Sequence, residues 1–546
     1  MKYTTIDGQL LKEMIVSGAY ELENNKEMVN ALNVFPVPDG DTGTNMSATM
    51  MAAANEVLNK KSTSIYDIAD AAAMGSLMGA RGNSGVILSQ LLRGLSKHLK
   101  GKESIKTVDF ALALKEGVNT AYRAVMKPTE GTILTVARES ADKAIEVSKN
   151  EDNFEIFMRK IYEQANTTLN KTPEMLPVLK QAGVVDAGGK GLLCIYQGMY
   201  KRLTGQMVEL NNYPSNTETT MQPIIKNDLD TDIEFGYCTE FFIKTSNANP
   251  DEFKNKILNF GDSIVVVGTE SLIKVHIHTN EPGTVLNEAM KLGELSKIKI
   301  DNMREQHRNL QEETEYPQIA KEEISNEEKE YGIVTVAMGD GITNIFKDLG
   351  VDVVIEGGQT MNPSTQDILA AINSINSKNI YVLPNNGNII MAAEQAKNIS
   401  DKNVVVIPTK SIPQGITAVI TLNPDASPEE NTKEMLKAID NVKTGQVTYA
   451  VRSTTFNDVE IEEGNILGIF NGKLVKAGES LDNVTKELLD EMIDESSELI
   501  TIIYGNDLNE EDAAEIEDYI CEKYPDCDVS INYGGQPLYY YIISVE

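Results

Sequence analysis

The chain has 546 residues, which at about 150 residues per domain amounts to three or four domains. Lys and Arg number 49 against 82 Asp and Glu, a formal net charge of −33, and 41% of residues are hydrophobic. This balance excludes global disorder. It also argues against binding to nucleic acid or to an anionic membrane through a basic patch, leaving open a local basic pocket. The four cysteines, Cys194, Cys238, Cys521 and Cys527, have no framework spacing, which fits a reducing compartment. The first residues lack the apolar core of a signal peptide, and no stretch approaches roughly 18 clean apolar residues. The expectation is a soluble, cytoplasmic protein with no nucleic-acid partner and no membrane insertion.

Residues 1–203 read as helical. Leu10, Leu11, Met14, Ile15 and Leu22 recur at helical spacing, and further stretches near 43–59, 64–80, 84–99, 106–126, 131–148, 153–169 and 187–203 bring the number to about eight helices. Their many Ala, Gly and Ser residues predict close helix approach in an all-α bundle or barrel. Residues 204–225 read as a linker. Within 226–310, EFGYCTEFFIK, SIVVVG and LIKVHIHT read as strands and 250–259 and 284–293 as helices, a small α+β domain. Residues 311–330, with eight acids and two lysines, read as a solvated linker or exposed helix. In 331–546, YGIVTVAMG, VDVVIEGG, KNIYVLPN and NVVVIPT alternate with helices, which predicts βαβ units and a mainly parallel sheet. ITIIYGND and PLYYYIISVE predict a further βα unit and a closing strand.

The strongest local signal is NVFPVPDGDTGTNMSATM, residues 33–50. Gly40 between Asp39 and Asp41 lets both carboxylates face one hard cation. The helix starting at Thr42, Gly43, Thr44 and Asn45 offers backbone N–H groups to an anion. The alternative is a Pro-Asp-Gly turn followed by a Thr cap. MGARGNSGVILSQLL (78–92) repeats the texture, with Asn83 and Ser84 placed to contact phosphate or merely to cap a helix. It is not a Walker A loop, because no Gly-Lys-Ser/Thr follows. KPTEGTILTV (127–136) and AGVVDAGGKGL (182–192) are similar in kind, and four such helix starts are hard to explain as turns alone.

His276 and His278 alternate on one strand, so both belong to one face. With Cys238 on a neighbouring strand they suit zinc, with Glu240, a water or a partner group as the fourth position. The alternative is a polar strand face with a buried structural cysteine. VAMGDGITNIF (336–346), LPNNGNI (383–389) and PTKSIPQGI (408–416) follow strands, where open α/β sheets gather ligands, but read equally well as ordinary βα turns. Arg452 is a candidate partner or phosphate contact. The acidic stretches near Asp490–Glu498 and Glu510–Glu517 read as solvated helix faces.

The succession PDGDTGTNM, GNSG, EGT and VDAGGKG resembles the nucleotide-binding domain of dihydroxyacetone kinases, a barrel of antiparallel helices with Mg-ATP at one end. The order of all three regions more closely resembles the ATP-binding subunit of bacterial fatty acid kinase. That resemblance implies a kinase using ATP and Mg²⁺ to phosphorylate a fatty acid carboxylate. The acid would be presented by a separate fatty-acid-binding protein, giving an acyl phosphate for phospholipid synthesis. By position, Asp39 and Asp41 match the metal-binding aspartates. Asn33 stands near a third aspartate of the dihydroxyacetone kinases, with spacing one residue different, which leaves open whether one or two Mg²⁺ bind. Thr42 to Asn45, Asn83 and Ser84 match phosphate-side contacts. Gly131, Thr132, Asp186, Ala187 and Gly188 match the remaining nucleotide contacts. Asp39, Asp41 and Thr42 are thus the expected catalytic set. The resemblance also implies a zinc-like site at Cys238, His276 and His278, a C-terminal domain related in fold to the fatty-acid-binding partners and used for docking, and a homodimer.

A carboxylate is already a competent nucleophile, so catalysis requires positioning and charge neutralisation rather than a general base. The competing readings are a kinase for a small polyol such as dihydroxyacetone, a non-catalytic ATP-binding scaffold, and, more distantly, a zinc hydrolase.

Overall fold

The computed structural model describes residues 3–33, 40–125, 127–206, 208–210, 237–245, 250–269, 272–302, 329–358, 361–456 and 459–546. The N-terminal helices and the C-terminal sheets form one compact unit, and the middle domain forms a second.

Among the described residues, eight helices of 14 to 18 residues make up most of the N-terminal domain: Gly8–Asn24, Thr42–Asn59, Ile65–Met78, Gly82–Leu99, Thr107–Ala124, Ile133–Ser148, Phe154–Leu169 and Ala187–Leu203. Each buries one apolar stripe in a shared core. Phe110, Phe154 and Phe157 meet edge to face with centroids 5.8–6.3 Å apart, and burying each ring contributes roughly 1.5–3 kcal/mol. The expected close approach occurs where the Gly82–Leu99 and Thr107–Ala124 helices cross: a Cβ on Gly94 would lie 2.6 Å from Gly117 Cα. Short helices at Lys26–Asn30, Thr172–Met175 and Pro177–Ala182 supplement the eight.

The middle domain is a four-stranded antiparallel sheet ordered Gly261–Thr269, Leu272–Thr279, Tyr237–Lys244, Glu294–Asn302. The helices Pro250–Ile257 and Pro282–Met290 accompany it. Phe241, Ile243, Ile273, Val275 and Ile277 are buried, alternate positions that share one face of two paired strands.

Among the described residues the C-terminal domain contains two large sheets and a two-stranded pair, Thr454–Phe456 with Val459–Ile461. The first is wholly parallel, ordered Asn403–Val406, Ser377–Leu383, Lys329–Ala337, Val353–Glu356, with helices between strands. The second has six strands, ordered Lys473–Gly478, Ile466–Phe470, Lys443–Tyr449, Tyr541–Val545, Leu499–Tyr504, Asp528–Tyr533. Only its last pair is parallel, joined through the helix Glu510–Lys523. The expected closing strand, Tyr541–Val545, runs through the sheet's centre, where all five of its residues are buried. The acidic run over 311–328 lies outside the described residues.

The N- and C-terminal domains share a face. Ala80 and Val86 join the apolar cluster of the parallel sheet. Gln395, on the helix Ile390–Ile399, donates to the Leu77 carbonyl at 2.8 Å. This contact carries the loops after Val353–Glu356 and Ser377–Leu383 to the start of the Gly82–Leu99 helix.

Candidate active site

A cleft of about 410 Å³ opens where several helix starts converge. Its walls bring together Asn33, Asp41, Thr42, Asn45, Asn83, Ser84, Asp186, Ala187 and Gly188, residues drawn from three stretches far apart in the chain. Leu32, Ile87, Ile133 and Leu179 add an apolar side, and Asn388 enters from the C-terminal domain. Asp39 lies outside the described residues.

Asp41 precedes the Thr42–Asn59 helix but does not cap it. The capping is done by Asn30, whose Oδ1 accepts from the amides of Gly43 at 2.8 Å and Thr44 at 3.1 Å, while its Nδ2 donates to Thr44 Oγ1 at 3.0 Å. Asn45 N is held by the Asp41 carbonyl at 2.8 Å. The first-turn amides of Gly43, Thr44 and Asn45, expected to face an anion, therefore already have acceptors. Gly43 is glycine for packing, since a Cβ there would lie 2.2 Å from the Lys26 carbonyl oxygen. Neither Gly43 nor Thr44 lines the cleft.

The Asp41 carboxylate, released from capping, is 7% exposed. Burial pushes its pKa up to about 6, against the opposing pull of amide hydrogen bonds from Asn45 and Asn362. Asn362 Nδ2, from the C-terminal domain, donates directly to Asp41 Oδ2. Thr42 Oγ1 donates to Asn33 Oδ1 at 2.9 Å. Asn83 Nδ2 donates to Asn388 Oδ1 at 3.2 Å, and among the described residues the buried Oδ1 atoms of Asn83 and Asn362 have no donor. The cleft wall itself carries the Asp41 carboxylate with the amide side chains of Asn33, Asn45 and Asn83, and oxygens of both kinds are ligands that hard divalent cations take.

Asp186 behaves in the opposite way. Its Oδ2 accepts from Gly189 N at 2.6 Å, capping the Ala187–Leu203 helix. Burial pushes its pKa up to about 6 despite backbone hydrogen bonds from Gly189 and Ile133. Gly131 and Thr132 are not part of the cleft wall, and Ile133 takes that place. Gly131, at φ +84°, donates its amide to Thr135 Oγ1, and Thr132 caps the Ile133–Ser148 helix.

Sequence reasoning missed Asn30, Asn362, Asn388 and Arg81. Arg81 and Asn388 each had a local signal, Arg81 inside the GARGNSG motif and Asn388 inside LPNNGNI, whereas Asn30 and Asn362 had none. Its Nη1 donates to the Asn362 carbonyl at 2.9 Å, and its Nη2 lies 3.6 Å from the Asp367 carboxylate. Arg452 donates from Nη1 to the Ala31 carbonyl at 2.6 Å and from Nη2 to the Asn33 carbonyl, so its guanidinium is engaged with the backbone leading into the Asp41 loop.

In the middle domain the antiparallel register sets Cys238 opposite His278 and Glu240 opposite His276. The side chains of all four lie outside the described ones.

Family models match the chain in three stretches: the DAK2 domain over residues 36–201, the FakA-like middle domain of fatty acid kinase over 234–310, and the FakA-like C-terminal domain of fatty acid kinase over 332–546. The chain is 48% identical, over a 555-residue alignment covering 100% of both chains, to Protein YloV of Bacillus subtilis. It is 45% identical over 551 residues, 99% of each, to an uncharacterized protein of Staphylococcus aureus strain USA300. Among solved structures, a DegV family protein of Corynebacterium glutamicum is similar over 40% of this chain and 98% of its own, at 15% identity and TM-score 0.33. The Streptococcus pneumoniae fatty acid kinase B3 protein loaded with linoleic acid is similar over 40% and 99%, at 15% identity and TM-score 0.29.

Proposed function

The chain belongs to the FakA-like family of fatty acid kinase proteins, and from that premise we propose that it transfers the γ-phosphoryl group of ATP to the carboxylate of a fatty acid presented by a separate binding protein. The product is an acyl phosphate. One observation carries the reading: a single cleft gathers a buried carboxylate released from capping, a ring of amide and hydroxyl side chains, and an apolar wall. The apolar side, Leu32, Ile87, Ile133 and Leu179, accommodates the face of a nucleobase. Asn83 and Ser84 contact phosphate oxygens at the start of the Gly82–Leu99 helix, where the dipole favours negative charge.

Asp41, with Asn33 and the undescribed Asp39, would hold magnesium, which when bound neutralises charge on the phosphate chain. Thr42 keeps Asn33 oriented through its hydroxyl hydrogen bond. No residue need remove a proton, because the attacking fatty acid carboxylate is ionised at neutral pH. Cys238, His276 and His278 would hold zinc in the middle domain, a reading supported by the strand register and tested by metal analysis of the purified chain. Among the described residues no helix is long and apolar enough to cross a membrane. We place the protein in the cytoplasm as a homodimer, which light scattering tests.

The decisive experiment incubates the chain with ATP, Mg²⁺ and a fatty-acid-loaded binding protein, and traps product with hydroxylamine. Acyl hydroxamate that forms only when both ATP and the loaded binding protein are present is expected. Phosphoryl transfer to dihydroxyacetone without the binding protein would replace this reading with the polyol kinase.

A further inference from the structure

The Asp41 carboxylate, which lines the cleft, is contacted from the C-terminal domain as well as from its own. Asn362 stands between the strand Val353–Glu356 and the helix Thr365–Ser374, at the carboxyl end of the parallel sheet, where open α/β sheets place ligand contacts. It is 0% exposed. Its carbonyl is fixed by Arg81 Nη1 at 2.9 Å, and the amide of nearby Thr365 donates to the Ala80 carbonyl at 3.1 Å. The C-terminal segment is thus docked on the residues that open the Gly82–Leu99 helix. From this position the Asn362 amide nitrogen reaches Asp41 Oδ2. Its amide oxygen is buried with no donor among the described residues. A buried acceptor left without a donor is costly, and native structures retain one for a reason.

We propose that Asn362 is a metal-positioning residue of the kinase cleft. It holds the Asp41 carboxylate through Nδ2 in the metal-free protein and turns Oδ1 toward the cation when magnesium binds. The inference rests on the magnesium–nucleotide reading of the cleft. A carboxamide has nearly the same shape after a half-turn about its last torsion, so exchanging N for O changes charge complementarity without changing volume. Beside a bare carboxylate the N–H side is favoured, and beside a carboxylate carrying a divalent cation the oxygen is favoured. The nearby Asn83, whose Oδ1 also lacks a donor among the described residues, is tied to Asn388 of the C-terminal domain. Each of the two loops therefore has a hydrogen bond with the C-terminal domain.

The test uses the full chain as wild type, Asn362→Ala and Asn362→Asp, with two readouts: calorimetric binding of ADP across a Mg²⁺ titration, and thermal melting with MgCl₂ alone. Asn362→Ala is expected to raise the Mg²⁺ concentration for half-maximal ADP binding about tenfold, the size typical of a lost supporting contact at a metal. Asn362→Asp is expected to melt below wild type without metal, because two carboxylates then face each other, and to gain more than wild type when Mg²⁺ is added. An unchanged Mg²⁺ midpoint in Asn362→Ala would overturn the proposal. So would an Asn362→Asp deficit of the same size with and without Mg²⁺, which is the mark of a merely structural hydrogen bond. If wild type itself binds no Mg-ADP, the nucleotide reading of the cleft fails, and this inference with it.

Discussion

Asp41 and Asp186 each stand immediately before a helix of 17 or 18 residues, each is followed by small residues, and burial pushes each to a pKa of about 6. Asp186 accepts from the amide of Gly189 and is used up as a cap. Asp41 caps nothing, because Asn30 reaches across from the preceding short helix and takes the amides of Gly43 and Thr44. A helix start needs an acceptor for each buried amide, but the acceptor need not be the residue at its head. Where a remote side chain supplies it, the local carboxylate is left facing the cleft. The same sequence texture thus yields a capping aspartate at one helix and a non-capping one at the other, both in the wall of one cleft.

The comparison breaks most visibly in activity. Asp41→Ala is expected to lower phosphoryl transfer at least about a thousandfold while the chain still folds, a loss of roughly 4 kcal/mol of transition-state stabilisation. Asp186→Asn, whose amide oxygen can still accept from Gly189, is expected to keep turnover within severalfold of wild type. Labelled-ATP turnover and thermal melting of both variants check the pair. Substantial Mg²⁺-dependent turnover in Asp41→Ala would remove the distinction drawn here.

Much of the helical domain was legible because its apolar residues recur at a clear helical period, so the boundaries of helices such as Ile133–Ser148 and Phe154–Leu169 agree to within a residue or two. The helices Lys26–Asn30 and Thr172–Met175 are too short for periodicity to register. In the C-terminal domain the parallel strands stand out as runs such as IVTVA. The strand Lys443–Tyr449 carries Lys, Thr, Gly and Gln, and gains its identity from the strands Ile466–Phe470 and Tyr541–Val545 paired on either side of it. The cleft was legible where its residues sit in motifs. Asn30 and Asn362 were not, because a single amide carries no local pattern. Asn362 reaches Asp41 across 321 positions of chain, a contact that only the packing of two domains creates.

The shared raised pKa sharpens the comparison in a second way. A carboxylate whose folded pKa lies above its unfolded one binds more protons folded than unfolded, so stability is greatest below the ordinary value near 4 and falls as pH rises to about 6. Each of the two groups can remove up to about 3 kcal/mol over that window, at roughly 1.4 kcal/mol per pH unit. In metal-free buffer, Asp41→Asn and Asp186→Asn are each expected to flatten the decline in denaturant midpoint between pH 4 and 7. Curves parallel to wild type would show that neither group titrates there. Capping gives a smaller difference. Asp186→Ala should be about 1–2 kcal/mol less stable than Asp186→Asn, the neutral variant that keeps an acceptor for Gly189.

The smallest effect in stability tests the cause of the difference itself. Asn30→Ala removes the acceptor for two amides and the donor to Thr44 Oγ1, at a site only partly shielded from solvent, and should cost about 1 kcal/mol. Its larger consequence lies in Asp41. With Gly43 and Thr44 unpaired, the nearest carboxylate that can cap the helix is the one placed at its head, and an Asp41 drawn back to that duty no longer faces the cleft. Asn30→Ala should therefore need more Mg²⁺ for nucleotide binding, whereas Asn30→Asp, which restores an acceptor for both amides, should recover most of the wild-type Mg²⁺ midpoint. Loss of stability without any change in that midpoint would mean that Asp41 is held toward the cleft by Asn45 and Asn362 alone, and that Asn30 serves the helix only.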